Sequence, residues 1–425
     1  MAHERHPAQL LRRGLAQLLQ LILLGLAVGA ACLPLNWLDA LQDSWLRRLP
    51  AFGGAWDPLT WALLLAPLLA MPLLTLLQAR PWASGAGSGI PQTMHAIEEP
   101  DRAAGLMAPA PTVQRLSLWS IATLALFPLG REGPVVQVGA AAAHALRRRF
   151  PRLLGGLGRA DLLAVAGGAG LAAGFNTPLV GVVFMAEELT GRFIAPLLWP
   201  TMVVAAVAAM LSSVGGQPEF ALGLLRFTTL EPLQALWALP LGLLAGLVGG
   251  LFSLLLLRTT RFVTPLARRH PLPVGLALGA GLALLALVSG GASGGDGEAL
   301  MALLINDSAP LPHAVVVMLA RFLAPCLALG AGVPGGLIDP ALSLGALLGK
   351  GIGGLFGIAP LALALGMAGS LAGATQLPVL SAVFSLRLAG DQQLLPGIVL
   401  ASVLGAGIGR LVQRRPIYHA LAEPM

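Results

Sequence analysis

Charge is scarce in this chain: only 11% of its 425 residues are Asp, Glu, Lys or Arg. A soluble domain carries roughly 25% charged residues, so a water-facing surface of this size could not be coated. With 56% hydrophobic residues and a mean hydropathy of +0.81, the composition is that of a membrane protein. Cysteine is nearly absent too. Cys32 and Cys326 lie in apolar sequence, which excludes a disulfide framework or a thiolate metal site and leaves two packing residues. There is one Tyr, Tyr418, and no soluble domain is expected after the last apolar segment near Arg410.

What is abundant is Gly and Pro, 54 and 33 residues, more than ordinary usage but less than in a structureless low-complexity chain. Many helices must be short or broken. That argues against anchors built from long uninterrupted spans and favours folds in which irregular backbone lines a buried cavity. The net charge of +7 comes almost wholly from Arg in clusters flanking apolar runs, as at Arg12, Arg13, 258–269 and 410–415. These read as topology determinants marking the cytoplasmic side, not as a nucleic-acid surface. Residues 14–38 are free of charge, longer than a signal-peptide core of about 7 to 15 residues, and are expected to be a retained first membrane helix.

Charge-free stretches long enough to span a bilayer recur at 58–79, 193–218, 232–257 and 271–295. Between them lie pieces too short to cross alone, at 135–146, 162–173, 177–186, 341–348, 361–371 and 377–386. Pairs of these are expected to meet near the bilayer centre. The halves also repeat. Gly130-Arg-Glu-Gly-Pro134 followed by Gly139 matches Gly336-Leu-Ile-Asp-Pro340 followed by Gly345, and Asn176-Thr-Pro178 with Phe184 matches Gln376-Leu-Pro378 with Phe384. One transmembrane transport domain over 1–425 is expected, with repeat halves near 14–220 and 230–412. Repeated broken helices whose N-termini converge on a ligand are a transporter pattern.

Three breaks open helices: Gly87-Ser-Gly-Ile-Pro91, Gly130-Arg-Glu-Gly-Pro134 and Gly332-Val-Pro-Gly-Gly-Leu-Ile-Asp-Pro340. Pro suits a first helical turn, and Gly lets backbone approach a ligand. A helix N-terminus offers free N–H donors and about half a positive charge, so several aimed at one point hold an anion without a full cation. One break alone would be an ordinary kink; three of one grammar are not. Glu132 sits inside the second break, where an ionisable group at membrane depth implies function more than a local pair with Arg131. Ionised it can occupy the site as a rival anion; protonated it can leave. Glu187 and Glu188 close a charge-free stretch on different helix faces, so at most one faces a pathway. Tyr418 offers a neutral donor, though alone it would be an interfacial residue. His95, His144, His313 and His419 lack ligand-like spacing.

These motifs, in this order and with Tyr418 last, resemble the CLC chloride channels and chloride/proton exchangers. The resemblance implies an all-α inverted repeat of about eighteen helices, many short or broken at mid-membrane. It implies a homodimer with one anion pathway per subunit, in a bacterial inner membrane with both termini cytoplasmic. Ser88 and Tyr418 then correspond to the hydroxyl donors of the central anion site, and the amides of Leu337 and Ile338 to its backbone donors. Glu132 corresponds to the external gating acid and Glu188 to the internal proton acid. Arg115 corresponds to a buried basic residue, with Gly87, Gly89, Pro91, Gly130, Arg131, Gly133, Pro134, Gly335 and Gly336 in support. No cofactor or metal is implied; the partners are chloride, protons and membrane lipid.

A glutamate at Glu188, where channels of this family carry an apolar residue, favours exchange over an uncoupled voltage- or pH-gated channel, and Ser88 resembles chloride-selective members. The sequence departs from the family in several places, among them Gln92, where a Glu often follows Gly-Ser-Gly-Ile-Pro. Asp339 replaces an apolar residue and would repel an anion if ionised and facing the pore, or is neutral or Arg-paired. Ile338 replaces a Phe. The stretch Leu126-Phe-Pro-Leu129 stands where small glycines are usual, so packing around Glu132 is expected to differ. An intramembrane hydrolase is the rival of another class, but Ser88 and His95 have nothing to fix them as a pair.

Overall fold

The computed structural model describes residues 7–214, 232–306 and 314–422. His313 and the expected join of the repeat halves near 220–230 lie outside them. The chain begins with α1 (Pro7–Leu46), α2 (Pro58–Ala79), α3 (Ile90–Glu98), α4 (Ala103–Leu106), α5 (Pro109–Leu124) and α6 (Glu132–Arg149). Next come α7 (Arg159–Phe175), α8 (Pro178–Phe184), α9 (Ala195–Ser212), α10 (Ala238–Arg269), α11 (Pro271–Val288) and α12 (Glu298–Asn306). The last are α13 (Ala314–Gly330), α14 (Ile338–Phe356), α15 (Ala359–Thr375), α16 (Pro378–Ala389), α17 (Leu395–Val412) and α18 (Ile417–Ala422). No named strand forms among the described residues.

Apolar stretches within or including α1, α2, α9, α10, α11 and α17 are long enough to cross a membrane. Helix α2 coincides with its expected span. It is started by Asp57, whose carboxylate accepts from the Thr60 N–H at 2.7 Å, and by Pro58 in the first turn. Charge-free length understates several others. Helix α10 runs on to Arg269 because Arg is a good helix former and suits the negative end of the helix dipole. Helices α6 and α14 reach 18 and 19 residues, longer than the pieces 135–146 and 341–348.

The repeat is visible in the backbone. Helices α7 and α15 both have 17 residues and end at left-handed residues 200 positions apart, Asn176 (φ 48°) and Gln376 (φ 62°). Each donates its N–H to the carbonyl four residues back, of Ala172 or Ala372. Helices α8 and α16 then restart at Pro178 and Pro378.

Contacts group the chain into two compact units. One comprises Met1–Pro34, Gln92–Thr112 and Val135–Gly216. In it α7 is buried from Leu162 to Phe175 and packs on α8 and α9, where the Ser212 hydroxyl donates to the Ala173 carbonyl at 2.7 Å. The other comprises Leu35–Pro91, Val113–Pro134 and Gln217–Met425. Here α10, α15 and α17 meet through glycines at i, i+4 spacing, Gly242 and Gly246, Gly369 and Gly373, Gly405 and Gly409. A Cβ at most of these would run into facing backbone, the small-residue packing by which membrane helices approach closely. Helix α14 lies against α15, joined by the Ser370 hydroxyl donating to the Ala341 carbonyl at 2.8 Å.

The stretch before Gly130 contains a left-handed leucine. Leu126 adopts φ 56°, a left-handed conformation that costs a non-glycine residue about 1–2 kcal/mol. Its side chain is buried in a cluster with Leu46, Leu49, Leu63 and Leu64, which offsets that cost. Leu126→Ala should destabilise by about 2–5 kcal/mol. Leu126→Gly removes one more carbon but relieves the backbone, so it should be no less stable than the Ala variant. Thermal unfolding in detergent that places the Gly variant well below the Ala variant would contradict this.

Candidate functional site

The first break is held open by two left-handed glycines, Gly87 (φ 88°) and Gly89 (φ 113°), which flank Ser88 just before α3 begins. The Gly87 N–H donates to the Gly332 carbonyl at 2.8 Å, and Gln78 Nε2 donates to the same oxygen at 3.0 Å. The first and third breaks are thereby joined. Arg115, only 1% exposed, donates to the carbonyls of Ser84, Ala86 and Gly87 at 3.2, 2.9 and 3.0 Å. Its positive charge stands behind the loop while its donors are spent on backbone. The Ser88 hydroxyl oxygen is buried without a hydrogen-bond partner among the described residues. A Cβ at Gly133 would collide with Ser88, so the first two breaks touch.

The second and third breaks meet in a reciprocal pair: Gly130 N–H to Gly336 carbonyl at 3.1 Å, and Gly336 N–H to Gly130 carbonyl at 2.8 Å. An antiparallel bridge in which a residue pairs with its own repeat equivalent has local two-fold symmetry, as copies related by a two-fold axis require. Helices α6 and α14 begin two residues beyond these glycines, at Glu132 and Ile338. The Glu132 side chain is fully buried, and its Oε1 accepts from the Asp339 N–H at 2.9 Å. A carboxylate thus occupies the positive end of α14. Leu337 and Ile338 form that helix start, and the bond falls one residue beyond them. At Gly336 the three atoms nearest to an added Cβ all belong to the Glu132 carboxyl group, so only glycine leaves room for it there. At Gly335 a Cβ would press on the Leu129 side chain.

Arg131 points elsewhere. Its guanidinium pairs with Asp39, bonds Glu298 Oε1 at 2.7 Å and lies 3.9 Å from Asp296 Oδ2. Those three acids have ligand atoms within 4.8 Å of one another, a spacing open to a cation, and the guanidinium is that cation here. Arg321, fully buried, donates to the carbonyls of Ser293, Gly294 and Gly295 at 3.1, 2.8 and 2.8 Å, and to that of Asp296. It also donates to Ser343 Oγ at 3.0 Å, tying this loop to α14 one turn beyond Asp339. Asp39, Asp296, Glu298 and Arg321 were not among the expected site residues. Arg321 is a lone charge in an apolar run, whereas Asp296 and Glu298 stand two residues apart in a Gly-rich stretch.

Asp339 is fully buried, and neither carboxyl oxygen has a hydrogen-bond partner among the described residues. Tyr418 is fully buried on α18, which packs on α10 and α15. In the other unit, Glu188 lies in a single π-helical turn, Met185–Leu189, that continues α8. Glu188 is 5% exposed while Glu187 is half-buried, so only one of the pair is inward. Such turns inside helices often mark functional positions.

A family model described as voltage gated chloride channel matches residues 69–410. The chain belongs to this family, the CLC proteins. It is 31% identical over 408 residues to the H(+)/Cl(-) exchange transporter ClcA of Yersinia pseudotuberculosis serotype IB (strain PB1/+), covering 88% of this chain and 81% of that one. It is 30% identical over 303 residues to the voltage-gated ClC-type chloride channel ClcB of Salmonella typhimurium (strain LT2), covering 68% and 71%. A crystal structure of a slow cyanobacterial Cl-/H+ antiporter superposes with a TM-score of 0.75 at 22% identity over 99% of this chain and 98% of that one. At that identity the likeness is one of fold. The protein is thus an integral membrane protein with the CLC architecture.

The crowding at Gly336 has a measurable consequence. Gly336→Ala should destabilise the protein and displace the Glu132 carboxyl group. Glu132→Ala should remove most of that destabilisation, because the added methyl meets no nearer neighbours than the Glu132 carboxyl atoms. Additive effects of the two substitutions on thermal unfolding would contradict the geometry.

Proposed function

We propose that this protein exchanges chloride for protons, with Glu132 as the gate. The observation that carries the proposal is the Glu132 carboxyl group bonded to an N–H in the first turn of α14. An ionised carboxylate there competes with chloride for the same partial positive charge. On taking up a proton it becomes neutral, loses its hold on the helix end and swings out. Chloride then meets the N–H groups of Leu337 and Ile338, the Ser88 hydroxyl and the Tyr418 phenol. Arg115 supports the ion from behind the Ser88 loop without holding it in a direct ion pair. Proton and anion thus use the same place in turn, which couples their movements in opposite directions. Glu188 is the acid that passes protons to and from the cytoplasm.

The names of the relatives support chloride as the ion, and the exchanger named among them covers more of the chain than the channel does. The functional unit is a homodimer with one pathway in each subunit and no cofactor. It sits in a bacterial inner membrane with both termini cytoplasmic.

Proteoliposomes with a chloride gradient provide the test. The native protein should drive protons uphill. Glu132→Ala and Glu188→Ala should each abolish proton movement while chloride still passes. Proton pumping that survives Glu132→Ala would overturn the assignment of the gate. Chloride current without any proton movement in the native protein would establish the channel instead.

A further inference from the structure

A cavity of about 580 Å³ opens in the unit that contains α7, lined by residues other than those of the three helix-start breaks. Its walls carry three guanidiniums, Arg147 and Arg148 from the end of α6 and Arg159 from the start of α7, together with His144. The single acid in its lining, Asp101, is fully exposed and reaches Arg159 at 3.4 Å, a contact that water screens. The nearby Asp161 is turned to Arg192 at 2.7 Å. The cavity therefore presents a positive charge that its own acids leave largely uncompensated.

Arg147 and Arg148 alone would be explained by α6, since cations favour a helix C-terminus and the interface of a membrane. Arg159 is not explained that way. It occupies the first position of α7, the end of a helix where a cation is unfavourable. Arg147 spends one donor on the Leu157 carbonyl at 2.8 Å, which fixes its fork at the cavity wall. The Nε2 atom of His144 is buried without a hydrogen-bond partner among the described residues. Three planar forks around one space suit an oxyanion that accepts several hydrogen bonds at once. The space is far larger than a chloride ion, and Leu162 and Leu163 give it an apolar side that a monatomic anion would not use. Basic pockets between membrane helices take up anionic headgroups by the same chemistry.

We propose that this cavity binds a phosphate group, carried by an anionic phospholipid or by a soluble phosphate. Two probes separate the sources. Inorganic phosphate is titrated into the purified full-length protein in detergent, with sulfate at equal ionic strength as control, and binding is followed by thermal shift. Phosphatidylglycerol is offered to delipidated protein against phosphatidylcholine, and retained lipid is counted by native mass spectrometry. Saturable binding of inorganic phosphate identifies a soluble ligand, and selective retention of phosphatidylglycerol alone identifies a lipid. The double variant Arg148→Gln with Arg159→Gln should weaken whichever binding is seen by about tenfold. Asp101→Asn removes the one competing acid at a fully exposed position and should tighten it about threefold, which keeps the test alive if the double variant does not fold. Binding of neither probe, or the same affinity in the native protein and both variants, would overturn the proposal.

Discussion

The bond from the Asp339 N–H to the Glu132 carboxyl group is where the rest of the site comes together. It can form only because Gly130 and Gly336 pair backbone to backbone, which sets the start of α6 against the start of α14. A side chain at Gly336 would occupy the carboxyl group's place. The third break is in turn fastened to the first by Gly87 and Gln78 on the Gly332 carbonyl. Glycine serves the breaks in two ways: left-handed backbone at 87, 89 and 332, and close approach at 130, 133 and 336.

Arginine builds this arrangement from behind its loops and helix starts. Arg115 and Arg321 direct their donors mainly at backbone carbonyls, and Arg131 directs its donors at carboxylates. Guanidinium serves here as a rigid multiple donor that fixes loops, and its charge comes along at a distance. Five acids, Asp39, Asp296, Glu298, Glu132 and Asp339, are buried or nearly so in this unit beside Arg131 and Arg321. A membrane protein with so little charge concentrates much of its buried charge where helices begin and loops must be held.

The parts legible in sequence were those set by local chemistry. Gly130-Arg-Glu-Gly-Pro134 and its repeat partner could be read because a helix start at membrane depth needs Gly and Pro at fixed spacing. The equivalence of Asn176 and Gln376 could be read as a repeat, but not that both close a helix in left-handed backbone. Periodicity could place Glu187 and Glu188 only on different faces; the family resemblance singled out Glu188, which is the more buried of the two. Arg321 was out of reach, because its backbone partners lie 25 to 28 residues away in a loop whose course depends on the arginine itself. Leu126 likewise needed the leucine cluster around it before its left-handed backbone made sense.

Asp339 is a fully buried acid near the start of α14, and its position limits what it can do. It lies in the first turn of α14, where a negative charge is favoured by the helix dipole, and its own N–H serves Glu132. Arg131 and Arg321 both act on it through space, although neither forms an ion pair with it among the described residues. A carboxyl group so placed draws on the same partial charge that holds Glu132. On the proposed function that same charge must also hold chloride. When ionised, an acid at this position weakens the helix end as an anion trap, and weaker trapping favours release as much as it disfavours binding. For a carrier that must let go of its ion in every cycle, this is a change in poise and not a loss of the site.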